Sequence, residues 1–141
     1  MSDRTRALEL IREEETLRLL QELVRIPSRN PPGEEKKCAE YVLQKMQLLG
    51  FEAEMISKPF PGRPQVVAKL KGAKCQPRLL LNGHMDVVPE GEAERWSFHP
   101  FSGVFKDGKV YGRGSCDMKG GLAAMMIAAK AVKESLAKKL K

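Results

Sequence analysis

The residues best suited to do chemistry are His84 and Asp86, which directly follow a short apolar run at residues 78–82. Such a run predicts a strand covered on both faces. Side chains two apart on extended chain point to the same side, so the imidazole and the carboxylate address one place. That place lies beyond the C-terminal end of a strand, where open α/β sheets usually bind ligands. The pair suits a metal site, since a metal-bound imidazole commonly donates its other N–H to a carboxylate, but a strand-end histidine beside an acid is the simpler interpretation.

A second candidate is Asp117, which lies in the glycine-rich segment YGRGSCDMKGG at residues 111–121. This turn places Asp117 at the start of a predicted helix. Asp117 could serve as the N-cap of that helix, a position that aspartate favours. Glycine-rich turns before helices also cradle phosphates, but the P-loop and dinucleotide-binding patterns are absent and a carboxylate would repel a phosphate. A ligand role and a capping role both stay open, and phosphate binding is the weaker interpretation.

The elements that must position these residues alternate between helical and extended patterns. Apolar spacing predicts an amphipathic helix over residues 3–26, and a second from about residue 34 that ends at Gly50. Strands are predicted at 51–57, 65–70 and 78–82, and Asp107-Gly108 predicts a hairpin turn. A last helix is expected from about Lys119. The pattern predicts an α/β chain with helices flanking a mixed, largely buried sheet.

Composition narrows the class of protein. The chain has 141 residues, 42% of them hydrophobic and 30% charged, which is typical of one folded domain rather than of disorder. The basic residues that give the net charge of +7 are interspersed with acidic residues. They do not form a basic surface that also carries aromatic side chains. We therefore expect no nucleic-acid partner. The lysines near the end suit a solvated helix terminus.

Cysteine usage and hydropathy predict a cytoplasmic protein. Cys38, Cys75 and Cys116 are odd in number and lack CxxC spacing, which favours free thiols in a reducing compartment. The first residues are polar and charged and carry no apolar secretory region. The longest apolar run, at residues 122–129, is too short to cross a bilayer, so no membrane partner is expected.

Three sequence blocks resemble one enzyme family. They are NGHMDVVP at residues 82–89, WSFHPF at 96–101 and GRGSCDMKGG at 112–121, preceded by LVRIPS at 23–28. In order and spacing they are similar to the zinc metallopeptidase family of acetylornithine deacetylase, succinyl-diaminopimelate desuccinylase, aminoacylase and carboxypeptidase G. The resemblance covers essentially the whole chain, which matches only the first part of a usual family member. It implies that residues 1–141 are the N-terminal portion of one metallopeptidase catalytic domain, with no second domain.

The resemblance assigns a role to each candidate residue. His84 matches the first zinc ligand, and Asp86 matches the catalytic aspartate that orients its imidazole. Asp117 matches the carboxylate that bridges two zinc ions, and the peptide bond after it is often cis in the family. The implied reaction is hydrolysis of an amide in an N-acyl amino acid or a peptide, in which two zinc ions polarise the carbonyl and activate a shared water. Cobalt is an alternative metal, since these ligand types suit several divalent ions.

The chain departs from the family pattern after Asp117. The family then requires a Glu-Glu pair that supplies the general base and a metal ligand, followed by another acidic ligand and a late histidine, and residues 118–141 supply none of these. Catalytic zinc needs three protein ligands and an open position. We therefore expect weak metal binding and no efficient turnover by this chain alone, and association with the missing half or with a full-length relative. A non-catalytic truncated paralogue that binds or regulates such a relative is the alternative function.

Overall fold

A computed structural model describes residues 2–71 and 79–137 of the chain. Four α-helices and four β-strands make up its regular structure: α1 Asp3–Glu9, α2 Glu13–Val24, α3 Lys36–Leu48, β1 Glu52–Ile56, β2 Gln65–Lys69, β3 Val104–Lys106, β4 Lys109–Tyr111 and α4 Gly120–Ser135. A short 3-10 turn, Ala93–Arg95, and a π-helical turn, Ser115–Lys119, complete it. None of the described helices is long and apolar enough to span a membrane.

The core lies between helices α2, α3 and α4. Its buried members come from these three helices and from two connecting segments: Leu19, Leu23, Cys38, Ala39, Val42, Met46, Phe51, Met85, Leu122, Ala123, Met126 and Ile127. The β1–β2 hairpin covers α3 through alternating side chains, which include Ala53 and Met55 on β1. The predicted α/β class is therefore confirmed. Cys38 and Cys116 are free thiols, and Cys75 lies outside the described residues.

The single helix predicted over residues 3–26 is wrong, because the structure divides it into α1 and α2 around residues 10–12. Three glutamates, Glu13, Glu14 and Glu15, occupy the first turn of α2. Acidic side chains favour the positive end of a helix, so this triplet favours a new helix start where the apolar pattern alone predicts continuation.

The turn predictions and the last helix are confirmed. Asp107 and Gly108, between β3 and β4, have φ of 50° and 73°, the left-handed values that a two-residue hairpin turn requires. Gly50 follows α3 with φ of 76°, as a C-terminal cap does. The last helix, α4, begins one residue after the predicted position.

The sheet differs from the prediction. The described strands form two separate antiparallel hairpins, β1–β2 and β3–β4, and not one buried sheet. A strand at 78–82 is also wrong for the described residues 79–82, where Leu79 and Leu80 are each 85% exposed. A strand buried on both faces needs strands beside it and helices above and below it. Among the described residues, this segment has neither. Residue 78 lies outside the described part.

Lys119 ties the start of α4 to the end of α2. Its side chain is fully buried, and its Nζ donates to the backbone carbonyls of Leu23 at 3.0 Å and Ile26 at 2.7 Å. Leu23 lies in the last turn of α2 and Ile26 lies just beyond its C-terminal end, where the helix dipole favours a cation. Burial holds the pKa of Lys119 below its usual value. This contact sets where the π-helical turn lies against α2.

We predict that Lys119→Met lowers the free energy of unfolding by about 1–3 kcal/mol, because a buried carbonyl loses its donor while the side-chain length is retained. Urea denaturation of the wild type and the variant measures the difference. The control is Lys36→Met, at a lysine whose side chain is 75% exposed, which should change the free energy by less than about 0.5 kcal/mol. Equal effects of the two substitutions would contradict the anchoring role of Lys119.

The exposed leucines generate a second prediction, that the isolated chain associates with itself. Leu80 lies in a run of three exposed leucines at residues 79–81, whereas Leu48, at 83% exposure, projects from the end of α3. Contiguous apolar surface drives association more than scattered residues do. Leu80→Gln should therefore shift the population toward monomer in sedimentation velocity, and Leu48→Gln should have a smaller effect. A wild-type chain that stays monomeric at all concentrations would refute this.

Candidate metal centre

The segment that carries His84 and Asp86 is held by the loop at residues 28–30. The amide of Val87 donates to the carbonyl of Ser28 at 2.9 Å, and the amide of Asn30 donates to the carbonyl of Val87 at 2.8 Å. Met85 and Val87 are buried, while His84 and Asp86 point to the other side and are partly exposed. This alternation places the imidazole and the carboxylate on one side, as the sequence predicts.

The loop is tethered to this segment by side chains as well. The hydroxyl of Ser28 donates to the carbonyl of Met85 at 2.7 Å. The guanidinium of Arg29 donates to both carboxylate oxygens of Glu90, at 2.6 and 2.7 Å, and stacks 4.7 Å from the centroid of the Phe101 ring. The bidentate contact with Arg29 lowers the pKa of Glu90 to about 2. These contacts fix the loop at residues 28–30 relative to the segment that carries Asp86.

A tight approach of backbone brings Asp117 to the same place. Gly114 has φ of 81°, and a β-carbon there would lie 2.3 Å from a methyl of Val87, so only glycine lets the turn pack against this segment. The Asp117–Met118 peptide is cis, as the family resemblance implies. Asp117 does not cap α4, because that helix begins at Gly120 and its N-cap residue is Lys119. The helix-cap interpretation is therefore wrong.

His84 and Asp117 meet although 33 positions separate them. The Nε2 of His84 lies 2.9 Å from Oδ1 of Asp117. The other ring nitrogen, Nδ1, lies 3.0 Å from the backbone carbonyl of Asp86 and 3.2 Å from its Oδ1. Two donor atoms bound to one tetrahedral zinc are about 3.3 Å apart, so the Nε2–Oδ1 pair needs to open only slightly to admit a cation.

Electrostatic contacts at the site favour the charged forms of His84 and Asp86. Burial alone would lower the pKa of His84, but its contacts with Asp86 and Asp117 outweigh burial and raise that pKa. Burial would raise the pKa of Asp86, but a hydrogen bond from Asn30 and the charges of His84 and Arg63 hold it below its usual value. A cation bound at Nε2 must therefore displace a proton that the same carboxylates attract.

Three residues in contact with Asp86 or its neighbours were not predicted from the sequence. Asn30 donates from Nδ2 to Oδ2 of Asp86 at 2.7 Å. Arg63 lies with Nη2 3.7 Å from the same oxygen and 2.6 Å from Oε1 of Glu35, whose side chain is only 5% exposed. The only sequence signal was the motif that begins at Asn30, NPPG, whose composition predicts a loop and nothing more.

The donor set fits part of a metal site. The side chain of His84 is 47% exposed and that of Asp117 is 87% exposed, so the space beyond them is open. Across residues 2–71 and 79–137, no group of three or more histidine, cysteine or acidic side chains is arranged to hold a metal ion. An imidazole nitrogen and a carboxylate oxygen are suitable ligands for zinc, but two ligands fall short of the three that a catalytic site uses. The residues present therefore suit one side of a shared metal centre.

Comparison with known proteins identifies matching families. The family model described as Peptidase family M20/M25/M40 matches residues 80–141, which include His84, Asp86 and Asp117. A succinyl-diaminopimelate desuccinylase from Methylorubrum extorquens is 42% identical over 115 residues, 79% of this chain and 29% of the relative. An N-formyl-4-amino-5-aminomethyl-2-methylpyrimidine deformylase from Halalkalibacterium halodurans is 40% identical over 84% of this chain and 28% of the relative.

Further matches extend over more of the chain. A probable succinyl-diaminopimelate desuccinylase from Staphylococcus epidermidis is 37% identical over 92% of this chain and 31% of its own length. An M20 family metallo-carboxypeptidase from Sulfolobus solfataricus has a similar solved structure, with a TM-score of 0.78 and 30% identity over 85% of this chain and 27% of that chain. The chain thus spans less than a third of the length of the relatives it matches, and it belongs to the M20 peptidase family.

Proposed function

We propose that this chain supplies the first part of a two-zinc amide-hydrolysing site, with His84 and Asp117 as metal ligands and Asp86 as the residue that orients His84. The observation that carries the proposal is the convergence of Nε2 of His84 and Oδ1 of Asp117 at 2.9 Å. Contact of the other ring nitrogen with Asp86 supports it further, because metal-bound imidazoles commonly donate their second N–H to a carboxylate.

In this proposal, Asp86 orients the imidazole of His84 and Asp117 supplies negative charge. The backbone carbonyl and the carboxylate of Asp86 both lie at Nδ1 of His84, and these contacts orient the ring so that Nε2 faces Asp117. Asp117 brings a negative charge and a second oxygen, which suits a carboxylate between two cations. Bound zinc would polarise the amide carbonyl and lower the pKa of a water. Cobalt is an alternative occupant, because nitrogen and oxygen ligands accept several divalent ions.

The rest of the reaction requires groups beyond those that this chain supplies. Residues 118–141 contribute no Glu-Glu pair to act as general base and ligand. We therefore propose that the isolated chain binds metal weakly and does not turn over substrate. A partner that completes the domain, either the missing half or a full-length relative, would cover the exposed leucines at 79–81 and add the remaining ligands. A reducing, cytoplasmic location agrees with the two described free thiols.

The substrate class follows from the relatives. The matched proteins are named for removal of succinyl or formyl groups and for carboxypeptidase activity, all of which cleave an amide bond. We propose a small N-acyl amino acid or a peptide as the substrate of the completed site.

A chimera tests this function. This chain replaces the matching segment of the Methylorubrum extorquens desuccinylase, and both hydrolysis of succinyl-diaminopimelate and zinc content are measured. We expect two zinc ions per chain and activity, and we expect His84→Ala or Asp117→Ala to lower kcat/KM by more than about 100-fold, since even loss of an outer partner of a ligand costs 10–100-fold. The control is His99→Ala, whose Nδ1 accepts from the backbone of Phe101, and it should retain activity.

The same chimera separates the proposal from a non-catalytic role. A folded chimera with neither zinc nor activity would favour a binding or regulatory paralogue. Activity that survives His84→Ala and Asp117→Ala together would refute the ligand assignment.

A further inference from the structure

We propose that Met118 is a positioning residue of the metal centre: its thioether joins the backbone of His84 to the turn that carries Asp117, so that both side chains face one cation. Met118 directly follows Asp117 in the chain, and its side chain is half-buried. The inference rests on the proposed function in one respect, the assignment of His84 and Asp117 as ligands of the same cation.

A hydrogen bond connects the two ligand-bearing segments through this thioether. The backbone amide of His84 donates to the sulfur of Met118 at 3.4 Å, across 34 positions of the chain. A thioether sulfur accepts hydrogen bonds but donates none, so the direction of the contact is fixed. The bonded amide belongs to the ligand residue itself. The contact therefore fixes the stretch of main chain from which the imidazole projects.

Two glycines leave room for the Met118 side chain. A β-carbon at residue 83 would lie 3.0 Å from Cε of Met118 and 3.4 Å from its sulfur. A β-carbon at Gly121, in the first turn of α4, would lie 3.3 Å from the same methyl group. The thioether is thus enclosed between the residue before His84 and the start of α4, and it packs against main chain on both sides.

The contact between the side chains of His84 and Asp117 is too weak to hold the segments together. The side chain of Asp117 is 87% exposed, and water competes with such a contact, so it contributes little to stability. Gly114 fixes the turn three residues before Asp117, by its close approach to Val87. Met118 fixes the turn on the other side. The carboxylate is therefore positioned by the residues that flank it.

The consequence is preorganisation of the two ligands. A cation that binds a site whose ligands already converge does not have to order them, and this raises its affinity. Without the sulfur of Met118, the amide of His84 bonds to water and the turn after Asp117 can move away from it. The two ligands then have to be brought together when the cation binds, and the dissociation constant rises.

Met118→Leu tests this role, because leucine keeps the volume and the apolar character of the side chain but removes the acceptor. Nitrogen-15 NMR of the full chain without metal measures hydrogen exchange of the His84 amide and the nuclear Overhauser effect between the His84 ring and the β-hydrogens of Asp117. Titration with zinc chloride then gives Kd. In the variant we expect faster amide exchange, a weaker Overhauser effect and a zinc Kd about 10-fold higher, the lower end of the usual effect of losing an outer partner of a ligand.

Met125→Leu is the matched control. Cε of Met125 approaches the same glycine, at 2.6 Å from the position of a β-carbon on Gly83, but this methionine does not follow a ligand in the chain. The substitution should leave the exchange of the His84 amide and the zinc Kd unchanged. The wild type supplies a further test if Met118→Leu does not fold: a His84 amide that exchanges as fast as an unprotected amide would refute the contact.

The outcomes separate this inference from the proposed function. Equal amide exchange and an equal Overhauser effect in the wild type and folded Met118→Leu overturn the positioning role, even where thermal stability falls. Equal effects of the two leucine variants overturn it as well, because they indicate a general loss of packing. A zinc Kd that depends on His84 but not on Met118 overturns it and leaves the ligand assignment intact. If the wild type binds no zinc while Met118→Leu still weakens the Overhauser effect, Met118 positions the two residues and the proposed function fails.

Discussion

The imidazole of His84 is held at both ring nitrogens by carboxylates from different parts of the chain, and the candidate site depends on this arrangement. Asp86 lies two residues away, so the backbone brings it near at little cost. Asp117 is 33 positions away, and its contact at 2.9 Å requires the fold to bring two loops together. A single imidazole with one nitrogen committed as a donor has only the other left for a cation. Asp86 therefore orients the ring at Nδ1, and Asp117 lies at Nε2, the nitrogen left for a cation.

Three contacts of the surrounding chain fix the positions of the two segments that carry His84 and Asp117. The backbone pairing of residues 28–30 with Val87 fixes the segment that carries His84. The absence of a side chain at Gly114 allows the Asp117 turn to lie against the same valine. Buried Lys119 joins that turn to the end of α2, so that the turn cannot slide along the core. Each contact uses a different physical means, namely main-chain hydrogen bonds, close steric approach and a buried cation on helix carbonyls.

A local sequence pattern predicts the structure where the structure has a local cause. Asp107-Gly108 demands left-handed backbone, and the apolar spacing of α3 and α4 requires a buried face, so the hairpin and these helices follow from the residues alone. The grouping of His84 with Asp86 follows from the two-residue period of extended chain. Their meeting with Asp117 came from family resemblance, because no local rule predicts a contact across 33 positions.

The failures have equally specific causes. The apolar run at 78–82 indicates a buried strand, but burial depends on neighbouring strands, which the described residues do not provide. The contact of Asn30 with Asp86 has no signal in the sequence, because NPPG predicts a loop by composition and composition does not reveal which distant carboxylate an amide contacts. The apolar pattern continues through the break between α1 and α2 and so predicts one helix, whereas Glu13, Glu14 and Glu15 favour a new helix start.

The central claim is that Nε2 of His84 and the carboxylate of Asp117 bind the same cation. Crystals of this chain soaked in zinc, with anomalous diffraction recorded at the zinc edge, test it most directly. The account predicts an anomalous peak about 2.0–2.2 Å from both atoms, with Asp86 remaining at Nδ1 and outside the coordination shell. A zinc peak bound elsewhere with this pair still in direct contact, or a peak coordinated by only one of the two residues, would contradict it.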